Sequence, residues 1–94
     1  MRFEALQRLV SDWHYSCPVD HVTDTLSQAS DIFKYRFSVK NPYDMWPQWS
    51  GVNHGDELDY VFGRPLASED MFGERDKELS RFMIEAWTNF AKYG

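Results

Sequence analysis

The residues best able to do chemistry lie close together, between Trp46 and Gly63, in WPQWSGVNHGDELDYVFG. The stretch holds two tryptophans, three acids and one histidine, His54, set between Asn53 and Gly55. Pro47 and Gly51 mark the approach as loop. A loop histidine followed by glycine can reach a neighbouring group without being walled in. That suits an imidazole that takes the proton of a serine hydroxyl and returns it to a leaving group, while a carboxylate holds its tautomer. A His-Gly pair is common, however, and a loop histidine is more often satisfied by backbone groups than catalytic.

The partners such a histidine needs are absent from this chain. In the chain order nucleophile, acid, histidine, the histidine comes last and the serine sits in G-x-S-x-G. No such motif occurs: Ser50-Gly51 is followed by Val52, and Ser16 precedes Cys17-Pro18. Serine chemistry therefore needs residues from elsewhere. His14, His21, His54 and Cys17 show neither H-x-x-x-H nor C-x-x-C spacing, so no metal site is expected. His14 and His21 are expected as surface or packing residues of a helix.

Several elements must position this stretch. Phe3, Leu6, Leu9, Val10 and Trp13 mark one face of a helix over residues 2–16. Pro18 interrupts it and either kinks it or starts a second helix with His21, Val22 and Leu26 on one face. In 31–40, DIFKYRFSVK, Phe33, Tyr35, Phe37 and Val39 alternate with Lys34, Arg36, Ser38 and Lys40, which predicts a strand. Asp56 is expected to cap a short helix through Phe62, with Leu58, Val61 and Phe62 inward and Gly63 ending it. Residues 64–73 read as connection. Leu79, Phe82, Met83, Ala86, Trp87, Phe90 and Ala91 then predict a long amphipathic helix, with acids Glu74, Asp76 and Glu78 near its start and Lys92 near its end. The order is helix, strand, His loop, short helix, long helix. One strand forms no sheet alone, so its partners are expected outside these residues.

Composition narrows the partners. The 94 residues are one small domain's worth, and 43% hydrophobic content supports a core. Ten basic and fifteen acidic residues leave a net charge of -5, which argues against nucleic acid or an anionic membrane as the main partner. Four Trp, five Tyr and seven Phe are a rich supply of faces for a cationic ligand. No apolar run reaches the roughly 20 residues that span a bilayer, and the N-terminal MRFEALQRLVSDW lacks a signal peptide's apolar centre. The single cysteine, Cys17, is either a buried thiol or a half-cystine with its partner elsewhere.

Three blocks together resemble a known family. WPQWSGV before the His-Gly, YVFGRPL after it, and WTNFAKYG at the end of the long helix are similar to the C-terminal part of the cholinesterase and type-B carboxylesterase family, over about Asp12 to Gly94. The resemblance implies an α/β-hydrolase fold, of which residues 1–94 would be a partial, C-terminal piece of the catalytic domain. It implies ester hydrolysis by a Ser-Glu-His triad without a cofactor, the substrate being a cationic choline ester, most simply acetylcholine. By position His54 matches the triad histidine, and Glu57 a glutamate that orders the site through hydrogen bonds. Trp46 matches an aromatic near the choline group, where a ring face attracts a quaternary ammonium. Cys17, in SCPV, matches the first half of an intrachain disulfide whose partner lies beyond Gly94. Vertebrate acetylcholinesterases of the family usually carry tyrosine after the His-Gly, where this chain has Asp56.

The implied parent is extracellular, secreted or membrane-anchored at synapses, and a homodimer or higher oligomer. A neuroligin-like adhesion protein shares the fold and a His-Gly-Asp-Glu sequence but lacks the nucleophile; it is the alternative, followed by a general carboxylesterase. The Trp46/Trp49 pair with Gly51-Val52 favours the cholinesterase side. Asp56, Glu57 and Asp59 near His54 would steer a cationic substrate. Alone, the 94 residues are expected to show no turnover and to fold weakly or not at all.

Overall fold

In a computed structural model that describes residues 2–68 and 70–94, the chain forms two compact units, one up to Arg36 and one from Phe37 to Gly94. The first is built on a single helical run. Helix α1 (Arg2–Ser11) passes through a π-helical turn (Asp12–Ser16) into helix α2 (Cys17–Leu26). The wide turn is the answer to Pro18. A proline has no N–H for the carbonyl four residues back and its ring crowds that carbonyl. The backbone widens just before it, so that Cys17 N–H bonds the Asp12 carbonyl five residues earlier. Pro18 therefore neither ends the helix nor starts a separate one.

The predicted face is present as a helix, yet none of its residues is buried. Leu9 is 63% and Trp13 76% exposed. His14 and His21 lie on this helix, exposed, as expected. The helix ends in a turn in which Ser27 N–H and Ser30 N–H donate to the carbonyls of Thr23 and Leu26. Lys34 reaches back to pair with Asp20.

The strand expected over 31–40 does not form: there is no strand among the described residues. The alternation survives only in part, with Phe37 and Val39 half-buried around an exposed Ser38, while Phe33 and Tyr35 stay exposed. A strand is defined by its ladder, and no second strand is there to complete one. The described residues are thus helical rather than α/β.

The second unit has a core. A 3₁₀ turn (Gln48–Ser50) leads through the His loop to α3 (Leu58–Val61), α4 (Arg64–Ala67) and the long α5 (Glu74–Tyr93), and α3 and α4 pack against α5. Tyr60 is its centre, with no exposed surface. Its phenol donates to Asp76 Oδ1 at 2.8 Å, and its carbonyl accepts the Ser80 hydroxyl at 2.7 Å, so both of its ends are fastened to α5. Burial first, then the Asp76 bond, raise the phenol well above its ordinary range and keep it protonated. Phe37 and Phe72 pack on its ring at 5.3 and 6.4 Å between centroids, and Tyr43 meets Phe72 edge-on at 4.9 Å.

Three expectations change here. Residues 64–73 contain α4 rather than plain connection, with Pro65 in its first turn, where a missing N–H costs nothing. Phe62 and Leu58, expected inward, are exposed, and so are Phe82 and Phe90 of α5; Met83 of the expected face is buried, and beside it the unexpected Ser80. Gly63 ends α3 as expected, with φ +78°. A side chain there would also press on Ile84 Cδ1, 3.3 Å away.

Candidate active-site loop

The loop that carries Trp46 and His54 is held by short side chains that take up backbone groups. Asn41 is almost wholly buried; its Oδ1 accepts the Tyr43 N–H at 2.9 Å and its Nδ2 donates to Asp59 Oδ2 at 2.7 Å. Asp44 repeats the device one step on, accepting the Trp46 N–H at 3.0 Å through Oδ1. Both are Asx turns, which fix a non-helical backbone without a sheet. Lys40 pairs with Asp44 and reaches Ser50 Oγ at 3.5 Å. The Lys40 hydrogen bond, with help from the Trp46 N–H and against the opposing pull of burial, holds the Asp44 carboxyl below its ordinary range.

The next turn presents the histidine. Asn53 N–H donates to Asp56 Oδ2 at 2.7 Å, and Asp56 N–H donates back to the Asn53 carbonyl at 3.2 Å. His54 and Gly55 are the two residues between these posts. Gly55 has φ +89° and Gly51, before the turn, φ +70° with ψ -151°, a region only glycine enters readily. Asp56 therefore does not cap the short helix as expected, because its carboxylate is already committed to Asn53. Glu57 stands at the helix start instead, and its carbonyl accepts the Tyr60 and Val61 N–H groups, each at 3.0 Å.

The consequence is a shallow depression of about 300 Å³ whose wall includes Trp46, His54, Asp44, Asp56, Asp59 and Arg64. Trp46 and His54 thus share one site, with Trp46 53% exposed and His54 also exposed. Arg64 donates to Asp59 Oδ2 at 2.8 Å and lies 5.9 Å from the Phe72 ring centre, which ties the acidic side of the depression to the core. Glu57, half-buried, is outside that wall. Cys17 belongs to the other unit, exposed and with a free thiol. Asn41, Asp44, Asn53 and Asp56 hold the loop, and of these only Asp56 was expected from the sequence to bond backbone groups. The signals were present: Asn41-Pro-Tyr and Asp44-Met-Trp are Asx-turn patterns, and Asn53-x-x-Asp56 has the spacing of a capping box.

The chain is similar to known proteins over nearly its whole length. The family model described as "Carboxylesterase family" matches residues 1–94. The acetylcholinesterase of Bungarus fasciatus is 39% identical over 92 residues, covering 97% of this chain and 15% of that protein. The cholinesterase of Mus musculus is 34% identical over 92 residues, 97% of this chain and 15% of its own length. Acetylcholinesterase 1 of Caenorhabditis elegans is 32% identical over 92 residues, 96% of this chain and 15% of its own length. No solved structure matches. The chain spans about a seventh of the length of these relatives, and the fold their family implies is the α/β hydrolase. The chain belongs to the carboxylesterase family.

Proposed function

We propose that this chain is the C-terminal part of the catalytic domain of a cholinesterase-like serine hydrolase, and that His54 is its triad histidine. The observation that carries this is the meeting of His54 and Trp46 in one depression walled by three acids. Support also comes from relatives named acetylcholinesterase and cholinesterase that align over nearly all of the chain. In the complete enzyme His54 takes the serine proton as the nucleophile attacks the ester carbonyl, then returns it to the departing choline oxygen. Trp46 offers a ring face to the trimethylammonium group. Asp44, Asp56 and Asp59 outnumber the Lys40 and Arg64 cations paired with two of them, and the negative balance left over draws a cation in. Glu57 orders the site from the start of α3. Serine and acid come from other parts of the complete protein, so the 94 residues alone turn nothing over. The complete protein is extracellular, secreted or membrane-anchored, and acts on a choline ester such as acetylcholine.

The test compares acetylthiocholine with the uncharged isostere 3,3-dimethylbutyl thioacetate in the complete protein. Trp46→Ala should raise KM for the charged ester by about 5- to 30-fold, the equivalent of roughly 1–2 kcal/mol of lost cation–π contact, and leave the uncharged ester nearly unaffected. Equal effects on both esters would remove Trp46 from the choline site. A wild-type protein that hydrolyses neither ester would overturn the enzyme assignment in favour of an adhesion role.

A further inference from the structure

We propose that Asp56 is a positioning residue for His54: its carboxylate clamps the turn whose projecting side chain is the imidazole. The proposal rests on the assignment of His54 as the triad histidine.

The turn is four residues long, Asn53 to Asp56, and would be loose without a clamp. Gly55, with φ +89°, allows it to reverse but does not select one conformation. Selection comes from the two posts. Asp56 is 8% exposed, so its Oδ2 bond to Asn53 N–H is made largely out of water, where an acceptor left unmatched is costly. A side-chain oxygen reaching back to the N–H three residues earlier is half of a capping box, here used to fix a turn. Asn53 is held from its other side as well: its Nδ2 donates to Ser50 Oγ at 3.0 Å and to the Gly51 carbonyl at 3.2 Å. Ser50 Oγ in turn donates to the Pro47 carbonyl at 2.7 Å. The clamp is therefore anchored in the Trp46 side of the loop. Asp44 adjoins Asp56, and the Lys40 ammonium paired with Asp44 supplies the positive charge that lets two carboxylates sit together.

The side chain that this geometry aims is the imidazole, and triad chemistry is sensitive to its direction. A misplacement near 1 Å costs about 100-fold in rate. Asp56 acts through its hydrogen bond rather than through its charge, so a neutral acceptor of the same shape should serve.

The experiment uses the complete protein and phenyl acetate, an uncharged ester, so that loss of a negative charge does not itself alter substrate attraction. Asp56→Ala should lower kcat by about 10- to 100-fold with KM within about threefold of wild type. Asp56→Asn, whose amide oxygen still accepts the Asn53 N–H, should recover to within about threefold of wild type with the pH dependence of kcat/KM unshifted. Asp56→Leu fills the same space without an acceptor and stands in for the alanine variant should that one not fold. Wild-type kcat in the alanine or leucine variant overturns the proposal. So does an asparagine variant as impaired as alanine, or one whose pH profile moves, since either would mean that charge is what matters. His54→Ala separates the two levels. If it loses activity while Asp56→Ala does not, only the clamp fails; if it keeps wild-type activity, the triad assignment fails and takes the clamp with it.

Discussion

The two units of this chain use similar residues and reach opposite ends. The helical run Arg2–Leu26 carries Phe3, Leu6, Leu9, Val10, Trp13, Val19, Val22 and Leu26, and buries none of them. The unit from Phe37 onward buries Tyr60, Phe72 and Met83. The difference lies in partners rather than in propensity. α5 has α3 and α4 to lie against, and Tyr60 gives it a ring and two hydrogen bonds. An amphipathic pattern thus specifies a helix and the stripe it must cover, but what covers the stripe is a separate matter. The His loop belongs to the unit that has a core, which is why four short polar side chains can fix it.

This contrast can be broken in graded ways. The largest effect is expected at its centre. In the complete protein Tyr60→Ala should cost about 3–5 kcal/mol of stability, read by denaturant unfolding, because it opens a cavity and removes the phenol that donates to Asp76, while the backbone carbonyl that accepts the Ser80 hydroxyl stays. A loss under about 1 kcal/mol would mean that the core is not built on this ring. Leu9→Ala sharpens the other side. In the 94 residues alone it should change helicity by no more than about 0.5 kcal/mol, since Leu9 touches little. In the complete protein, where we propose that the rest of the hydrolase covers this face, it should cost about 2–5 kcal/mol. A silent Leu9→Ala there would contradict the placement of this chain in a larger domain.

A smaller effect is expected in the loop. Gly51→Ala meets no neighbouring atom within 4 Å, so its cost should be backbone strain alone, about 1–3 kcal/mol from φ +70° and ψ -151°. The smallest is a pH effect. The Asp44 carboxyl is held below the ordinary value of 3.8, so its pairing with Lys40 adds stability that is fully present above that value. That stability disappears as pH falls through the lower folded value. The difference in stability between wild type and Asp44→Asn should therefore be constant near neutrality and shrink below about pH 3.8. A difference that grows on acidification would contradict the pairing.

These contrasts also explain what could be foreseen from residues. α5 was legible because its period runs for five turns and its terminal charges suit the dipole; its covered face was less so, since Ser80 is buried and Phe82 is not. The strand over 31–40 was foreseen from alternation, but a ladder depends on residues that alternation cannot supply. Pro18 looked like a break, and the widened turn before it is a solution visible only in the backbone. The closeness of Trp46 and His54 follows from their both lying in one loop. Asp56 was expected to be a helix cap because capping and turn-clamping use the same residue types; the turn that Gly55 permits with its positive φ brings the Asn53 N–H to that carboxylate. Glu57 and Cys17 rest on resemblance: Glu57 is outside the wall of the depression, and Cys17 belongs to the other unit.

The most direct test of the central claim is the rate of acetylthiocholine hydrolysis by the complete protein with His54 and with His54→Ala, purified side by side. A triad histidine predicts a loss in kcat of roughly four to six powers of ten, with the variant still folded by circular dichroism. A variant that retains a rate within about tenfold of wild type would show that His54 is a loop residue beside the site and not the base that drives it.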